Sequence, residues 1–283
     1  MKKIWIVGSL GHMGQALIRL LDMMEYELYE TDKDELDITD EHAVSLFMHR
    51  NRPDVVINCA GYHPSAGAAQ SETDMAYKVN AVGARNLAQS AESIQAKLIQ
   101  ISTDDVFDGI RHTPYTEFDD TNPKTVYGRS KRAGENYVKE FTHKHFILRS
   151  NWVYGNGNNF VNRVLHVADT KDELLVASDQ FGSPTSAKDL ARIILYLIQT
   201  NEYGTYHATC QGVCNRYEFA QEILKLAGKQ INLRPVMTSE SDLSSARPAY
   251  AVLDNFILRI INVYDMPEWK TSLREYMNER TEG

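Results

Sequence analysis

The chain is predicted to fold as an α/β protein, a doubly wound parallel sheet with a smaller mixed unit on its C-terminal side. Three observations predict this. Through the first 150 residues, short apolar runs alternate with stretches of helical periodicity, the mark of successive βαβ units. The first apolar run, Ile4 to Val7, leads straight into glycines spaced i, i+3 and i+6 (Gly8, Gly11, Gly14) and then into a helical pattern. Beyond residue 150 the alternation weakens and the elements become mixed.

Taken in order, Ile4 to Val7 reads as the first strand. His12 to Met24 reads as a helix whose apolar stripe holds Ala16, Leu17, Leu20 and Leu21. Tyr26 to Tyr29 is a second strand. Glu41 to Arg50 is a helix capped by Thr39 or Asp40. Asp54 to Asn58, around Val55-Val56-Ile57, is a buried strand, and Asp74 to Ser93 is one long helix. Leu98 to Ser102 is a strand, Thr103 to Pro123 a loop, the run around Tyr127 a helix, and Phe146 to Leu148 a strand. In the second half, Asn156 to Asn159 is a loop. Phe160 to Asp169, Ala187 to Gln199 and Tyr217 to Leu226 are helices, and Leu174 to Val176 is a strand. The expected division is a dinucleotide-binding domain over residues 1–150, to which 184–208 return, and a second domain from 151–183 and 209–283.

The 283 residues suffice for a sizeable core, and 43% hydrophobic with 24% charged residues is ordinary for a globular chain. A net charge of −8 exerts no sequence-wide pull toward nucleic acid or anionic membrane, leaving room for a local basic pocket. The N-terminal apolar run of four residues is too short for a signal-peptide core, and no run approaches a membrane span. Cys59, Cys210 and Cys214 make neither a disulfide framework nor a paired metal-ligand set. No metal is expected, and the expected setting is cytoplasmic.

The glycine loop has a physical job. Gly8 permits the tight turn, Gly11 lets backbone approach a pyrophosphate, and Gly14 lets helix pack on strand. The helix N-terminus, at His12 and Met13, then offers N–H groups and a positive dipole end to phosphate. Asp32, about twenty residues on, stands where a carboxylate hydrogen-bonds an adenosine ribose, which favours NAD over NADP; Lys33 beside it softens that preference. The sheet is therefore expected to be of Rossmann type.

Tyr127 and Lys131, four residues apart on a helix, share one face. A phenol with an unperturbed pKa near 10 is a poor acid or base at neutral pH. An ammonium a few ångströms away favours the phenolate and adapts it to proton transfer.

These motifs together resemble the extended short-chain dehydrogenases/reductases. The runs Asp104-Asp105-Val106-Phe107, Leu148-Arg149-Ser150-Asn151-Trp152-Val153-Tyr154-Gly155 and Asp179-Gln180-Phe181-Gly182-Ser183-Pro184-Thr185 are similar to the dTDP-4-dehydrorhamnose reductase family among them. Arg247-Pro248 with Leu253-Asp254 matches that family's C-terminal signature. The resemblance implies hydride transfer from NADPH, with NADH an alternative, to the C4 ketone of a dTDP-linked sugar. It makes Tyr127 the proton donor and Lys131 the group that holds the nicotinamide ribose. Thr103 bonds the reacting oxygen, Asp104 touches the sugar and Trp152 packs on it. Gly11, His12 and Met13 line the pyrophosphate, Asp37 and Ile38 flank the adenine, and Ala60, Gly61 and Tyr62 approach the cofactor. Asn80 sits by the site as a structural polar group. Gln180 and Arg247 frame the nucleotide diphosphate, although a surface salt bridge is an equal reading of Arg247. The implied partner is a dTDP-sugar, with no nucleic acid and no membrane, and the chain is a monomer or homodimer.

Three departures bear on the sugar. Asp105 stands where the family has tyrosine. The run Tyr62 to Gln70 lacks the usual Val-Asp-x-Ala-Glu pattern. Gln15-Ala16 replaces a glutamate through which some relatives bind Mg²⁺ between subunits. Two other readings stay open: reduction of another nucleotide-linked 4-keto-6-deoxy sugar, and a non-catalytic NADP-binding subunit resembling the regulatory β subunit of methionine adenosyltransferase.

Overall fold

In the computed structural model, which describes residues 1–22, 26–64, 70–240, 248–262 and 265–282, the apolar runs assemble into one six-stranded parallel sheet. Its strands are β1 (Lys2–Val7), β2 (Tyr26–Thr31), β3 (Val55–Asn58), β4 (Lys97–Thr103), β5 (His145–Ser150) and an edge strand, Gly204–His207. The order is edge strand, β5, β4, β3, β1, β2. The order of strand addition therefore reverses between β1 and β3, all strands running parallel, and such a switch point opens a crevice at the carboxyl ends of the strands. The fold is the doubly wound α/β class the sequence predicts.

Buried on both faces, the inner strands β1, β3, β4 and β5 sort their side chains with period two. Ile4, Ile6, Ile57, Ile99, Phe146 and Leu148 enter one core, with the helices at 12–21 and 187–197. Trp5, Val7, Val56, Leu98 and Ile147 enter the other, with Val44, Met48 and Leu87 of the crossover helices. Those helices are α1 (His12–Leu21), α2 (Glu41–Asn51), α3 (Gln70–Tyr77), α4 (Ala84–Ile94) and α5 (Val126–Phe141).

Several elements differ from expectation. The first helix stops at Leu21, and residues 23–25 lie outside the described residues. Asp40, rather than Thr39, caps α2 by accepting from the Ala43 N–H at 3.0 Å. The predicted long helix begins at Gln70 and is interrupted by a π-helical stretch, Lys78–Gly83, between α3 and α4. Asn80, inside that stretch, turns inward to bind the loop after β3. The loop after β4 starts with a 3₁₀ turn at Asp104–Val106 and later pairs Tyr115 with Leu253.

The second half pairs the expected strand at 174–176, here 173–177, with 232–236, and supplies two-residue ribbons that periodicity did not reveal: 153–154 with 185–186 and 181–182 with 214–215. Strands this short carry too little pattern to read. The predicted helices at 160–170, 187–197 and 216–226 are present within a few residues of the expected ends.

Candidate active site

The carboxyl ends of β1, β3 and β4 deliver three loops to one crevice. After β1, Gly8 takes φ +78°, and a Cβ there would lie 2.8 Å from the Ala60 nitrogen. A Cβ on Gly14 would run into the Gly8 carbonyl and Ser9, so α1 packs on the loop only through glycine. Gly11 is different: its nearest neighbour would be the Gly8 oxygen at 3.4 Å, which leaves the loop open above it.

The N-terminus of α1 is also left electrically bare. Side chains of Asp40, Thr125, Asn159, Ser186 and Asn215 cap the helices they precede, whereas Gly11 gives α1 no side-chain cap and its first turn holds no acid. A phosphate fits that end. His12 and Met13 form the first turn, with Met13 buried; burial lowers the His12 pKa and keeps its ring neutral near neutral pH. Asp32 reaches back to the loop, its Oδ2 accepting from the Leu10 N–H at 3.1 Å. Asp37 is exposed and Ile38 buried, the latter fixed where Asn86 Nδ2 donates to its carbonyl.

The loop after β3 is clamped by two asparagines. Asn58 Oδ1 accepts from the Ala60 N–H at 3.1 Å. Asn80 accepts from the Tyr62 N–H and donates to the Tyr62 carbonyl, both at 2.8 Å, and also donates to Ser130 Oγ on α5. Ala60, Gly61 and Tyr62 are thereby set against the Tyr127 helix.

That helix starts at Thr125, whose Oγ1 accepts from the Gly128 N–H and donates to Asp105 Oδ2 at 2.9 Å. Asp105 is buried, and this bond ties the end of β4 to the start of α5, where a negative charge also suits the helix dipole. Lys131, one turn beyond Tyr127, is buried with its Nζ donating to the Ile101 carbonyl at 2.6 Å, and a Cβ on Gly61 would lie 4.0 Å from that Nζ. Burial lowers the Lys131 pKa to about 8, against the opposing pull of Glu135 and Cys59. Tyr127 is half-buried and carries an unforeseen neighbour: the exposed ring of His63 stacks on it, centroids 3.5 Å apart.

Thr103, the last residue of β4, donates from Oγ1 to Asp104 Oδ1 at 2.9 Å. Asp104 Oδ2 in turn accepts from Asn151 Nδ2 at 2.6 Å. Asn151, fully buried, also donates to the Ala251 carbonyl and accepts from the Ser183 N–H. It joins three segments distant in sequence, a role that the family-like run around it did not assign. The next residue, Trp152, has φ +44° and is half-buried against Phe219. Gln180 is buried, its Nε2 donating to Thr238 Oγ1. Arg247 lies outside the described residues. Arg216, not singled out from sequence, lays its guanidinium over Trp152. Among the described residues no group of three or more His, Cys, Asp and Glu gathers as a metal site.

The crevice thus brings a phosphate-ready helix end, a buried amine, a phenol and a hydroxyl to one end of a parallel sheet. Residues 1–282 match the RmlD substrate binding domain family. The chain is 38% identical over 282 residues to the spore coat polysaccharide biosynthesis protein SpsK of Bacillus subtilis, covering 99% of both chains. A crystal structure of a dTDP-4-dehydrorhamnose reductase from Clostridium acetobutylicum superposes with a TM-score of 0.95 at 44% identity, covering 99% of both chains. That of a dTDP-4-dehydrorhamnose reductase from Bacillus anthracis in complex with NADP gives 0.94 at 40%, covering 99% of this chain and 100% of the other.

Proposed function

The chain belongs to the RmlD substrate binding domain family and is an oxidoreductase of the extended short-chain dehydrogenase/reductase fold, and on that premise we propose that it reduces the C4 ketone of dTDP-4-dehydro-β-L-rhamnose to dTDP-L-rhamnose. The observation that carries this reading is the meeting of Lys131 with the end of β4. α5 drives the amine to the Ile101 carbonyl, two residues before Thr103 and one turn from Tyr127.

The glycine loop, Asp32, Asp37, Ile38 and residues 60–62 hold the dinucleotide, which we read as NADPH with NADH accepted. When bound, the reduced nicotinamide supplies the hydride. Thr103 and Tyr127 donate to the carbonyl oxygen as negative charge builds on it, and the Tyr127 proton stays with the product alcohol. Lys131 holds the nicotinamide ribose and, while protonated, stabilises the phenolate left behind. Asp104, fixed by Asn151, bonds the sugar and Trp152 packs on it, while Gln180 frames the nucleotide diphosphate, the role the family resemblance also implies for Arg247. Residues 1–150 and 184–208 serve the dinucleotide, and 151–183 with 209–283 the sugar nucleotide. We place the enzyme in the cytoplasm, as a monomer or homodimer, without nucleic acid or membrane partners; no helix among the described residues is long and apolar enough to cross a membrane.

A second reading, reduction of a different nucleotide-linked 4-keto-6-deoxy sugar, is favoured by one observation. His63, from the atypical run after Tyr62, stacks on the proton donor. The test supplies dTDP-4-dehydrorhamnose generated in situ with NADPH or NADH and follows absorbance loss and product identity. Conversion to dTDP-L-rhamnose is expected, with Tyr127→Phe reducing kcat by at least 100-fold at unchanged cofactor affinity. No turnover with either cofactor sinks the first reading, and formation of another epimer favours the second.

A further inference from the structure

The Trp152 ring contacts both an aromatic ring and a cation. Phe219 stacks on it at 6.3 Å, and the Arg216 guanidinium carbon lies 3.6 Å from its centroid. The same guanidinium stands 4.9 Å from the Phe160 ring, and Arg163 approaches that ring at 5.6 Å. Two arginines therefore share one aromatic wall in a chain whose net charge is −8. The wall adjoins the catalytic groups: Thr103 bonds Asp104, Asp104 bonds Asn151, and Asn151 precedes Trp152. Arg216 is also tied to the predicted substrate segment. Its N–H donates to the Gln180 carbonyl, and Cys214–Asn215 pair with Phe181–Gly182. The adjacent carboxylate of Glu218 accepts from the Asn215 N–H in the capping box.

We propose that Arg216, assisted by Arg163, binds the diphosphate of the nucleotide-sugar substrate and so sets its affinity. This rests on the reductase reading above and names a residue of the same site. A guanidinium held over an indole face carries a planar fork of N–H donors suited to two phosphate oxygens at once. Without a general positive field to attract an anionic substrate, the chain depends on local cations of this kind. Trp152, placed against the sugar, then orients the arginine as well as covering the substrate.

The test is calorimetric titration of the full chain with thymidine 5′-diphosphate and, separately, thymidine, for wild type, Arg216→Gln and Arg216→Lys. NADPH binding verifies that each variant is folded. Arg216→Gln is expected to weaken diphosphate binding about 10- to 100-fold, leaving thymidine and NADPH within about threefold. Arg216→Lys, which keeps the charge without the fork, should fall between. The salt dependence of diphosphate affinity should flatten in Arg216→Gln, and in turnover KM should rise with little change in kcat. Equal losses for thymidine and the diphosphate, or no loss for either, overturn the assignment while leaving the reductase reading intact. Failure of the wild type to bind the diphosphate, together with no turnover of the dTDP-sugar, overturns both.

Discussion

Lys131 carries its charge into a place that penalises it. Burial outweighs the attraction of Glu135 and Cys59 and holds its pKa at about 8, against an ordinary 10.5. Activity and stability then respond to pH with opposite signs. Between about pH 8 and 10.5 the unfolded chain still binds the proton that the folded chain has lost, so this lysine makes folding more favourable as pH rises. The same proton loss removes the cation beside Tyr127. The expected pH profile of kcat/KM, which reports the free enzyme, therefore breaks downward near pH 8 while thermal stability shows no matching loss. A profile flat to pH 9.5 would discard the role given to Lys131. Tyr127 and Lys131 were legible in sequence because helical spacing alone sets them side by side. Asn151 and Arg216 were not, since their partners, Asp104, Ser183 and Trp152, come from elsewhere in the chain.

At the scale of elements, the glycine loop separates packing from binding. Gly8 and Gly14 are closed in by backbone, whereas Gly11, with φ −70° and ψ 160°, has room for a methyl group. Gly14→Ala must push α1 off the loop and should cost about 1–3 kcal/mol, roughly 2–10 °C in Tm. Gly11→Ala should leave Tm within about 2 °C. On the proposed dinucleotide reading that methyl group would meet the approaching phosphate and a displaced α1 would withdraw its N–H groups, so both variants should weaken NADPH binding about tenfold or more in a fluorescence titration. Equal Tm losses in the two would show that the loop's spacing serves packing alone. The glycine spacing announced this loop, as the apolar alternation announced β1 to β5, because each signal is local. The edge strand Gly204–His207 and the two-residue ribbons were invisible for the opposite reason: their register comes from neighbours more than fifty residues away or from pairs too short to show a period.

Across the whole molecule, a buried polar seam couples the central sheet to the C-terminal segment. Glu135 accepts from Ser102 Oγ at 2.6 Å and from Arg149 at 2.9 and 2.7 Å, with the arginine and glutamate both buried. Arg149 neighbours His207, which lies in register with it on the edge strand. The fully buried His207 ring uses Nδ1 to meet the carbonyls of Tyr115 and Asp254, binding the loop after β4 to the C-terminal segment. Burial first, and then the Arg149 charge, push the His207 pKa down to about 3. From about pH 6.5 to 3 the unfolded chain takes up a proton that the folded chain refuses, so stability falls as the medium is acidified. At pH 5 this one group should cost about 2 kcal/mol relative to pH 7.5, at 1.36 kcal/mol per pH unit below its unfolded pKa. Urea unfolding of wild type and His207→Gln at both pH values isolates it from the carboxylates, which titrate in both proteins. The variant, less stable at pH 7.5 because it gives up the native contacts of the ring, should lose about 2 kcal/mol less on acidification. Parallel losses would mean that the seam opens to admit the proton, and that the junction between sheet and C-terminal segment is looser than its burial implies.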